Sequence, residues 1–529
     1  MPPSTLRRRL TWIVLVLCLG LNLVFVTMQG AWTSDLGGDP DEAAHAVTSL
    51  MVSDFLTGGW RQPPMSFANR YYADFPKVAL GHYPPGYYLL IGLWLSPHPS
   101  IKSFFVLQAL LSALLGALLY RLASKIVSLP AAMMAGLLSS ALPLSLEQIQ
   151  LVMSDTMLAL LCVLAAASWR DYMNRPTCRR ALGFGFIATA AILTKGSAIG
   201  LAAIPLVATV LSCRLELLKK PSWWLSALPA VILAGPWMFY SAKITADGMS
   251  HQPLSEFFRD AVSFYMKALP QSLGWPLLIL SAAGAFALLI LAVKSPRRPE
   301  ASALLGLLIG MTAVMLMVPA GLNSRYILPI LPVLLTAAVL AAEKLSAITP
   351  QHRSLAVVCI VAAAYAPAAS WPKKSVHGFS TAVQRSSAPL PTTQPERWLV
   401  ASDPRGEGAI IAAAAFACPQ RSPSVLRLYR GSKELASSDW MGRGYQPAFT
   451  NDSGLLSHLD KLQIQRVFMD LSVPDGRQTL HEVQLLAALQ SAKDRWQLDF
   501  EQTITRRPKE TGVLRVYRRI SPATSDSPN

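Results

Sequence analysis

Residues 7–32 read RRRLTWIVLVLCLGLNLVFVTMQGAW: three arginines, then an apolar run from Leu10 to about Ala31. A helix of about 22 residues rises roughly 33 Å, enough to cross the hydrocarbon core of a bilayer. No small-x-small cleavage site follows the run, so it reads as a retained signal anchor rather than a removed leader. Arginines stay on the cytoplasmic side, which sends the first helix out near Trp32 and leaves residues 33–100 as a large first outer loop. Further apolar runs lie at about 103–120, 129–146, 156–169, 181–194, 197–212, 223–240, 275–293, 301–319, 326–342 and 354–370. The expected fold is therefore a polytopic α-helical membrane protein with about eleven transmembrane helices.

The threading can be checked within the sequence, because loops assigned to the cytoplasm should be basic. They carry Arg121 and Lys125; Arg170, Arg175, Arg179 and Arg180; Arg214, Lys219 and Lys220; Lys294, Arg297 and Arg298; and Lys344 and Arg353. Every one of these loops agrees, which places the C-terminus outside. Composition points the same way: of 529 residues 52% are hydrophobic and only 15% charged, and the mean hydropathy is +0.37. The formal charge of +17 sits in these short clusters, so it orients helices and gives no reason to expect a nucleic-acid partner. The six cysteines show no CxxC and no pairing pattern, which disfavours a disulfide framework and a zinc site.

Two segments depart from simple spans. Residues 84–97 are apolar but too few to cross, and read as an interfacial or re-entrant part of the outer region. Residues 181–212 are short for two spans and a turn, so the turn at Lys195-Gly196 is expected below the outer surface, where a lysine needs protein or water around it. Residues 1–371 thus read as a transmembrane domain and the Pro-, Ser- and Thr-rich residues 372–396 as a linker. Residues 397–529 read as a soluble α/β domain, with strands at 398–402, 425–429, 466–471, 497–504 and 512–518 and helices at 408–417, 455–462 and 480–492.

Candidate chemistry falls on the outer side. SDLGGDPDEAAH (34–45) holds Asp35, Asp39, Asp41, Glu42 and His45. Asp39 or Asp41 can cap the following helix while Glu42 complements its dipole; equally, these carboxylates can supply a general base or ligate a divalent cation. GHYPPGYYLL (81–90) sets His82, Tyr83, Tyr87 and Tyr88 around a double proline, either as a stiff aromatic turn or as a contact for phosphate or sugar. Asp155 in VMSDTMLALL, Lys195 in LTKGSAIG, and Arg325 and Tyr326 in LNSRYILPILP sit at expected outer mouths of spans. As structural residues they would cap or snorkel. Carboxylates and phosphate-grade cations on one face suit an enzyme with a lipid-linked phosphate donor.

At these residues the chain resembles the GT-C superfamily of lipid-dependent glycosyltransferases, in the branch of the protein O-mannosyltransferases and of the bacterial transferases that add aminoarabinose to lipid A. The resemblance covers about residues 10–370 and rests on Asp41-Glu42, Pro84-Pro85 with Tyr87-Tyr88, Asp155, Lys195-Gly196 and Arg325-Tyr326. It implies an inverting transfer of one sugar from a polyprenyl phosphate to a lipid, glycan or protein acceptor, on the extracytoplasmic face of a bacterial inner membrane. Asp41, Glu42 and Asp155 are then the catalytic set, Asp41 activating the acceptor. His82, Tyr83, Tyr87, Lys195, Arg325 and Tyr326 bind substrate, with Lys195 and Arg325 on the phosphate. Many relatives carry a lysine directly before the double proline; here Tyr83 stands there, preceded by His82. The resemblance implies no required metal, although Asp39 and Asp41 form the pair that a divalent cation would use. An oligosaccharide transferase would carry a larger soluble domain and a clearer metal motif. A flippase or other binder of lipid-linked sugars would place ionisable groups near the midplane of several spans.

Overall fold

The computed structural model describes residues 3–294, 299–346, 353–387, 395–418, 421, 424–439 and 441–520. Arg297, Arg298 and part of the expected linker, 388–394, lie outside the described residues. The chain divides into two compact units: Met1–Gln29, Leu80–Tyr87 and Phe105–Pro372 in the first, and Gly30–Ala79, Tyr88–Phe104 and Lys373–Asn529 in the second.

The first unit is helical throughout, and each apolar run read from the sequence carries helix. Thr5–Met28, Ile101–Ala123, Pro221–Asp247, Trp275–Lys294 and Pro299–Met317 are each long and apolar enough to cross a bilayer. The remaining runs give helices that are shorter or, like Asp155–Asn174, less apolar, so by length and composition the described residues hold five spans where the sequence suggested about eleven. The protein is a multi-pass membrane protein. Interruptions have local causes: Leu142 ends one helix before Pro143 opens the next, and a π turn at Ala230–Ala234 precedes Gly235-Pro236, where proline removes a backbone donor. One helix, Leu254–Leu273, has no counterpart among the apolar runs. It is amphipathic, burying Phe257, Ala261, Tyr265 and Ala268 while carrying Glu256, Arg259, Asp260 and Lys267, and a hydropathy reading passes over it.

The second unit contains a five-stranded mixed sheet formed by β1 (Glu396–Ala401), β2 (Leu426–Arg430), β3 (Arg466–Asp470), β4 (Trp496–Arg507) and β5 (Glu510–Arg519), in the order β2-β1-β3-β5-β4. β1 runs parallel to β2 and β3, and β5 is antiparallel to β3 and β4. Alternation along β1 and β3 sends Leu399, Ala401, Val467 and Met469 to one face, against Leu455, Leu459, Leu485 and Ala488. Trp398, Val400 and Phe468 on the other face are also fully buried. Burial on both faces explains why these strands read as continuous apolar runs. The strands and helices expected in residues 397–529 are all present. Helix Pro404–Ala417 packs against helix Pro40–Thr57, and a Cβ at Gly408 would lie 2.9 Å from both Ala43 Cβ and Lys77 Cε. Glycine is what lets the two helices approach so closely.

Helix Leu480–Ser491 starts with a reciprocal capping box between Thr479 and Glu482. Burial, with Glu407 and Asp470 adding like charge, pushes the Glu482 carboxyl up to about 7 against the two Thr479 hydrogen bonds. A carboxyl whose folded value is raised stabilises the fold below its ordinary value near 4.5, and that contribution is lost as pH rises through about 7. Glu482→Gln keeps an oxygen for the Thr479 N–H, now 2.8 Å from the carboxylate. The variant is expected to match wild type near pH 5 and to be more stable by about 1–3 kcal/mol at pH 8, measured by hydrogen exchange in the C-terminal sheet.

Candidate active site

Three of the sequence candidates meet inside the first unit. Asp155 is the first residue of helix Asp155–Asn174. Lys195 caps the end of helix Cys178–Thr194, where the chain turns extended before the 3-10 segment Gly196–Ala202. Arg325 lies in the 3-10 turn Ser324–Ile327, whose first residues are fixed by the Asn323 side chain accepting from the Arg325 N–H at 3.1 Å. Lys195 Nζ donates to Asp155 Oδ1 at 2.6 Å, and Arg325 Nε lies 3.9 Å from Asp155 Oδ2. The second distance is an ion pair and not a hydrogen bond. Exposures of 1% for Asp155, 8% for Lys195 and 6% for Arg325 rule out snorkelling cations at a wet surface. The Tyr326 ring completes the cluster, with Lys195 Nζ 4.5 Å and Arg325 Cζ 5.6 Å from its centroid. Both cations approach the Asp155 carboxylate in a desolvated place, where charged donors bind an incoming anion strongly.

Residues 81–87 of the 81–90 motif belong to the same unit as this cluster. Gly81 has φ of +95° and a Cβ there would strike Ile244 at 2.7 Å, so the turn needs glycine. An isolated bridge joins Leu80 to Tyr83, and His82 lies within it, half-buried. Helix Gly86–Leu95 follows the double proline. A Cβ at Gly86 would come 2.8 Å from the Leu193 carbonyl oxygen, which sets the motif against the last turn before Lys195. Tyr87 Oη accepts from Gln108 Nε2 at 3.0 Å, and the same nitrogen reaches the Met153 carbonyl at 2.7 Å. Gln108 therefore ties the motif to the strand of chain entering Asp155. The sequence reading missed it, although an amide inside the apolar run 103–120 was a signal.

The acidic loop belongs to the second unit. Asp39 is the N-cap of helix Pro40–Thr57 and accepts from the Asp41 N–H at 2.9 Å, so capping is its local role. Asp41 and Glu42 occupy the first turn. Glu42 is fully buried; its Oε2 accepts from the N–H groups of Gly37 and Gly38 at 2.9 Å each, and its Oε1 pairs with Lys374. Asp35 accepts from the Phe379 N–H at 2.9 Å and from Ser380 Oγ, and burial raises its carboxyl above the ordinary value despite these bonds. Farther along the helix, Asp54 takes a two-pronged contact from Arg421 at 2.7 and 2.8 Å and a third from Tyr71 Oη at 3.1 Å. His45 Nδ1 and Tyr88 Oη are 3.0 Å apart. Near Asp41 stands Lys77, bonded to the Pro404 carbonyl at 3.2 Å. Burial and Arg430 push its ammonium down to about 8, while Glu407, Asp41 and Asp403 oppose the shift.

Neither Lys374 nor Lys77 could be picked from sequence, since their partners lie hundreds of residues away or depend on a neighbouring helix. Lys374→Met removes the cation facing a fully buried carboxylate. An expected cost of about 3–5 kcal/mol should appear as a lowered unfolding temperature, together with faster exchange of the Gly37 and Gly38 amides. Among the described residues no group of three or more His, Cys, Asp or Glu is placed to hold a metal ion.

Residues 82–240 match the family Dolichyl-phosphate-mannose-protein mannosyltransferase, a segment that contains His82, Tyr83, Tyr87, Asp155 and Lys195. Over that segment the chain is similar to this family of glycosyltransferases. No curated protein sequence matches it significantly. Among solved structures the chain resembles ArnT from Cupriavidus metallidurans in the apo state, with TM-score 0.56 and 15% identity over 96% of this chain and 97% of that one. It also resembles the Archaeoglobus fulgidus oligosaccharyltransferase in the apo form, with TM-score 0.53 and 13% identity over 96% of this chain and 76% of that one. The archaeal enzyme AglB in complex with an inhibitory peptide and a dolichol-phosphate matches at TM-score 0.53 and 14% identity, with the same coverage. At such identities the likeness shows a shared fold alone, one common to an aminoarabinose-type transferase and an oligosaccharyltransferase.

Proposed function

We propose that this glycosyltransferase moves one sugar, with inversion, from a polyprenyl-phosphate donor to a hydroxyl-bearing lipid, glycan or protein acceptor. The observation that carries the reading is the buried pairing of Lys195 and Arg325 on the single carboxylate of Asp155. A buried lysine and arginine gathered at one point answer the charge that grows on a departing phosphate better than they answer the neutral sugar, which is the condition for lowering a barrier. Asp155 is a positioning residue that holds both cations in place. Tyr326 and Tyr87, with His82 and Tyr83, line the donor side.

Asp41 acts as the general base. The acceptor oxygen attacks C1 of the sugar as its proton passes to the Asp41 carboxylate, and the C1–O bond breaks with its electron pair going to the phosphate. Glu42 supports the loop through Gly37, Gly38 and Lys374. The scheme routes no step through a metal. The basic loops support an arrangement of about eleven spans with the N-terminus in the cytoplasm of a bacterial inner membrane and the chemistry outside. That a dolichol phosphate occupies the archaeal enzyme of the same fold supports the donor class.

Purified protein given a panel of polyprenyl-phosphate monosaccharides should release polyprenyl phosphate and form a product of inverted anomeric configuration, with EDTA present or absent. A retained configuration, or turnover that stops with EDTA and returns with a divalent cation, would refute the scheme.

A further inference from the structure

In the order β2-β1-β3-β5-β4 the connection leaving β1 runs outward to β2 while the one leaving β3 runs the other way to β4, so the carboxyl ends of β1 and β3 flank a topological switch point. Open α/β sheets take ligands at such points. A cleft opens there, lined by Asp403, Arg405 and Gly406 from the segment after β1, by Arg477 from the segment after β3, and by Arg506 and Glu510 from β4 and β5.

The carboxylates of the cleft are already engaged. Asp403 caps helix Pro404–Ala417, accepting from the Arg405 and Gly406 N–H groups at 3.1 and 2.9 Å, and pairs with Arg506. Those amides are consumed, so the helix end itself offers little to a ligand. Arg506 is fixed from behind by Asp470 at 2.5 Å and is 8% exposed. Glu510 lies 3.8 Å from Arg507. Arg405 and Arg477 remain: among the described residues neither guanidinium makes a hydrogen bond or an ion pair within 4 Å. Around Arg405, burial and the neighbouring Arg507 and Arg506 depress the guanidinium below its ordinary value, against the pull of Asp39 and Asp403. The two guanidiniums are thus the groups of the cleft left without a hydrogen-bonded partner among the described residues.

We propose that this cleft is a second binding site, separate from the transfer chemistry, for a phosphate-type anion held between the guanidiniums of Arg405 and Arg477, with Arg506 as a fixed back wall. Guanidinium forks match the geometry of a phosphate, and two unpaired ones in a concave wall of the sheet are suited to little else. Gly37 lines the same cleft while its N–H is held by Glu42, so an occupant packs against the loop that carries Asp39 and Asp41. The phosphate can be free in solution or part of a lipid headgroup.

Calorimetry on the full-length protein in a zwitterionic detergent, at constant ionic strength, tests the site with three probes: inorganic phosphate, glycerol 3-phosphate and dihexanoyl phosphatidic acid. At least one should bind saturably, and each arginine-to-alanine change, Arg405→Ala or Arg477→Ala, should weaken it at least about tenfold. Lys493→Ala, an equal loss of charge at an exposed position of the same domain, should leave binding unchanged. The Arg405→Lys/Arg477→Lys pair keeps the charge and loses the forks, and should retain intermediate affinity even if the alanine pair folds poorly. Tightest binding of phosphatidic acid assigns the site to a headgroup, and equal or tighter binding of the soluble anions assigns it to free phosphate. Saturable binding to none of the probes, or undiminished binding in the double variant, overturns the proposal. Transfer activity is not read in this experiment, so failure of the active-site scheme would leave it untouched.

Discussion

Asp41→Asn protein is expected to transfer sugar about 100- to 10,000-fold more slowly than wild type while unfolding at the same temperature. Asparagine has the shape of aspartate, and the Asp41 N–H that donates to Asp39 is kept, so the start of helix Pro40–Thr57 stays intact. What the amide loses is the capacity to take a proton from the acceptor hydroxyl. If Asp41 only complemented the helix dipole, the change would cost about 0.3–1 kcal/mol of stability and leave turnover alone. The two measurements, single-turnover rate and melting temperature, therefore separate base from cap. A variant that melts earlier and turns over normally would remove Asp41 from the mechanism.

The second large effect concerns Lys195. Lys195→Met leaves the Asp155 carboxylate, 1% exposed, facing only Arg325 at 3.9 Å, and should cost about 3–5 kcal/mol. Adding Asp155→Asn removes the orphaned charge, and the double variant should regain much of the lost stability because the two sites are in direct contact and couple strongly. Transfer should not recover with it, since the phosphate-side cation is still missing, and the apparent donor affinity should stay low. Recovery of both stability and turnover in the double variant would make the pair purely structural.

Much of the fold was legible because membrane spans and buried parallel strands both announce themselves as apolar runs. Helix Leu254–Leu273 was not, because half of its surface is charged and its apolar residues recur only on one stripe. The number of crossings is also less plain in the structure than in the sequence, as short helices such as Leu129–Ala141 fall below the length that a straight span needs. Within the site, Asp155, Lys195 and Arg325 were readable because a charge at the edge of an apolar run is costly and so conspicuous. Lys374, Arg421 and Gln108 were hidden for the opposite reason: two lie outside apolar runs, where a cation is ordinary, and the third is a neutral amide. Glu42 illustrates the limit most clearly. Sequence placed it in the right turn, but its work is done toward Gly37, Gly38 and Lys374, a partner 332 positions away.

That long reach has a consequence for the newborn chain. Asp54 and Arg421 are 367 residues apart, which a ribosome working at 5–20 residues per second needs roughly 20–70 s to cover. Until then the acid-bearing helix lacks Lys374, Arg421 and the helix that receives it at Gly408. A chain that stops before position 374 therefore leaves Glu42 without the Lys374 cation and Asp54 without the Arg421 guanidinium.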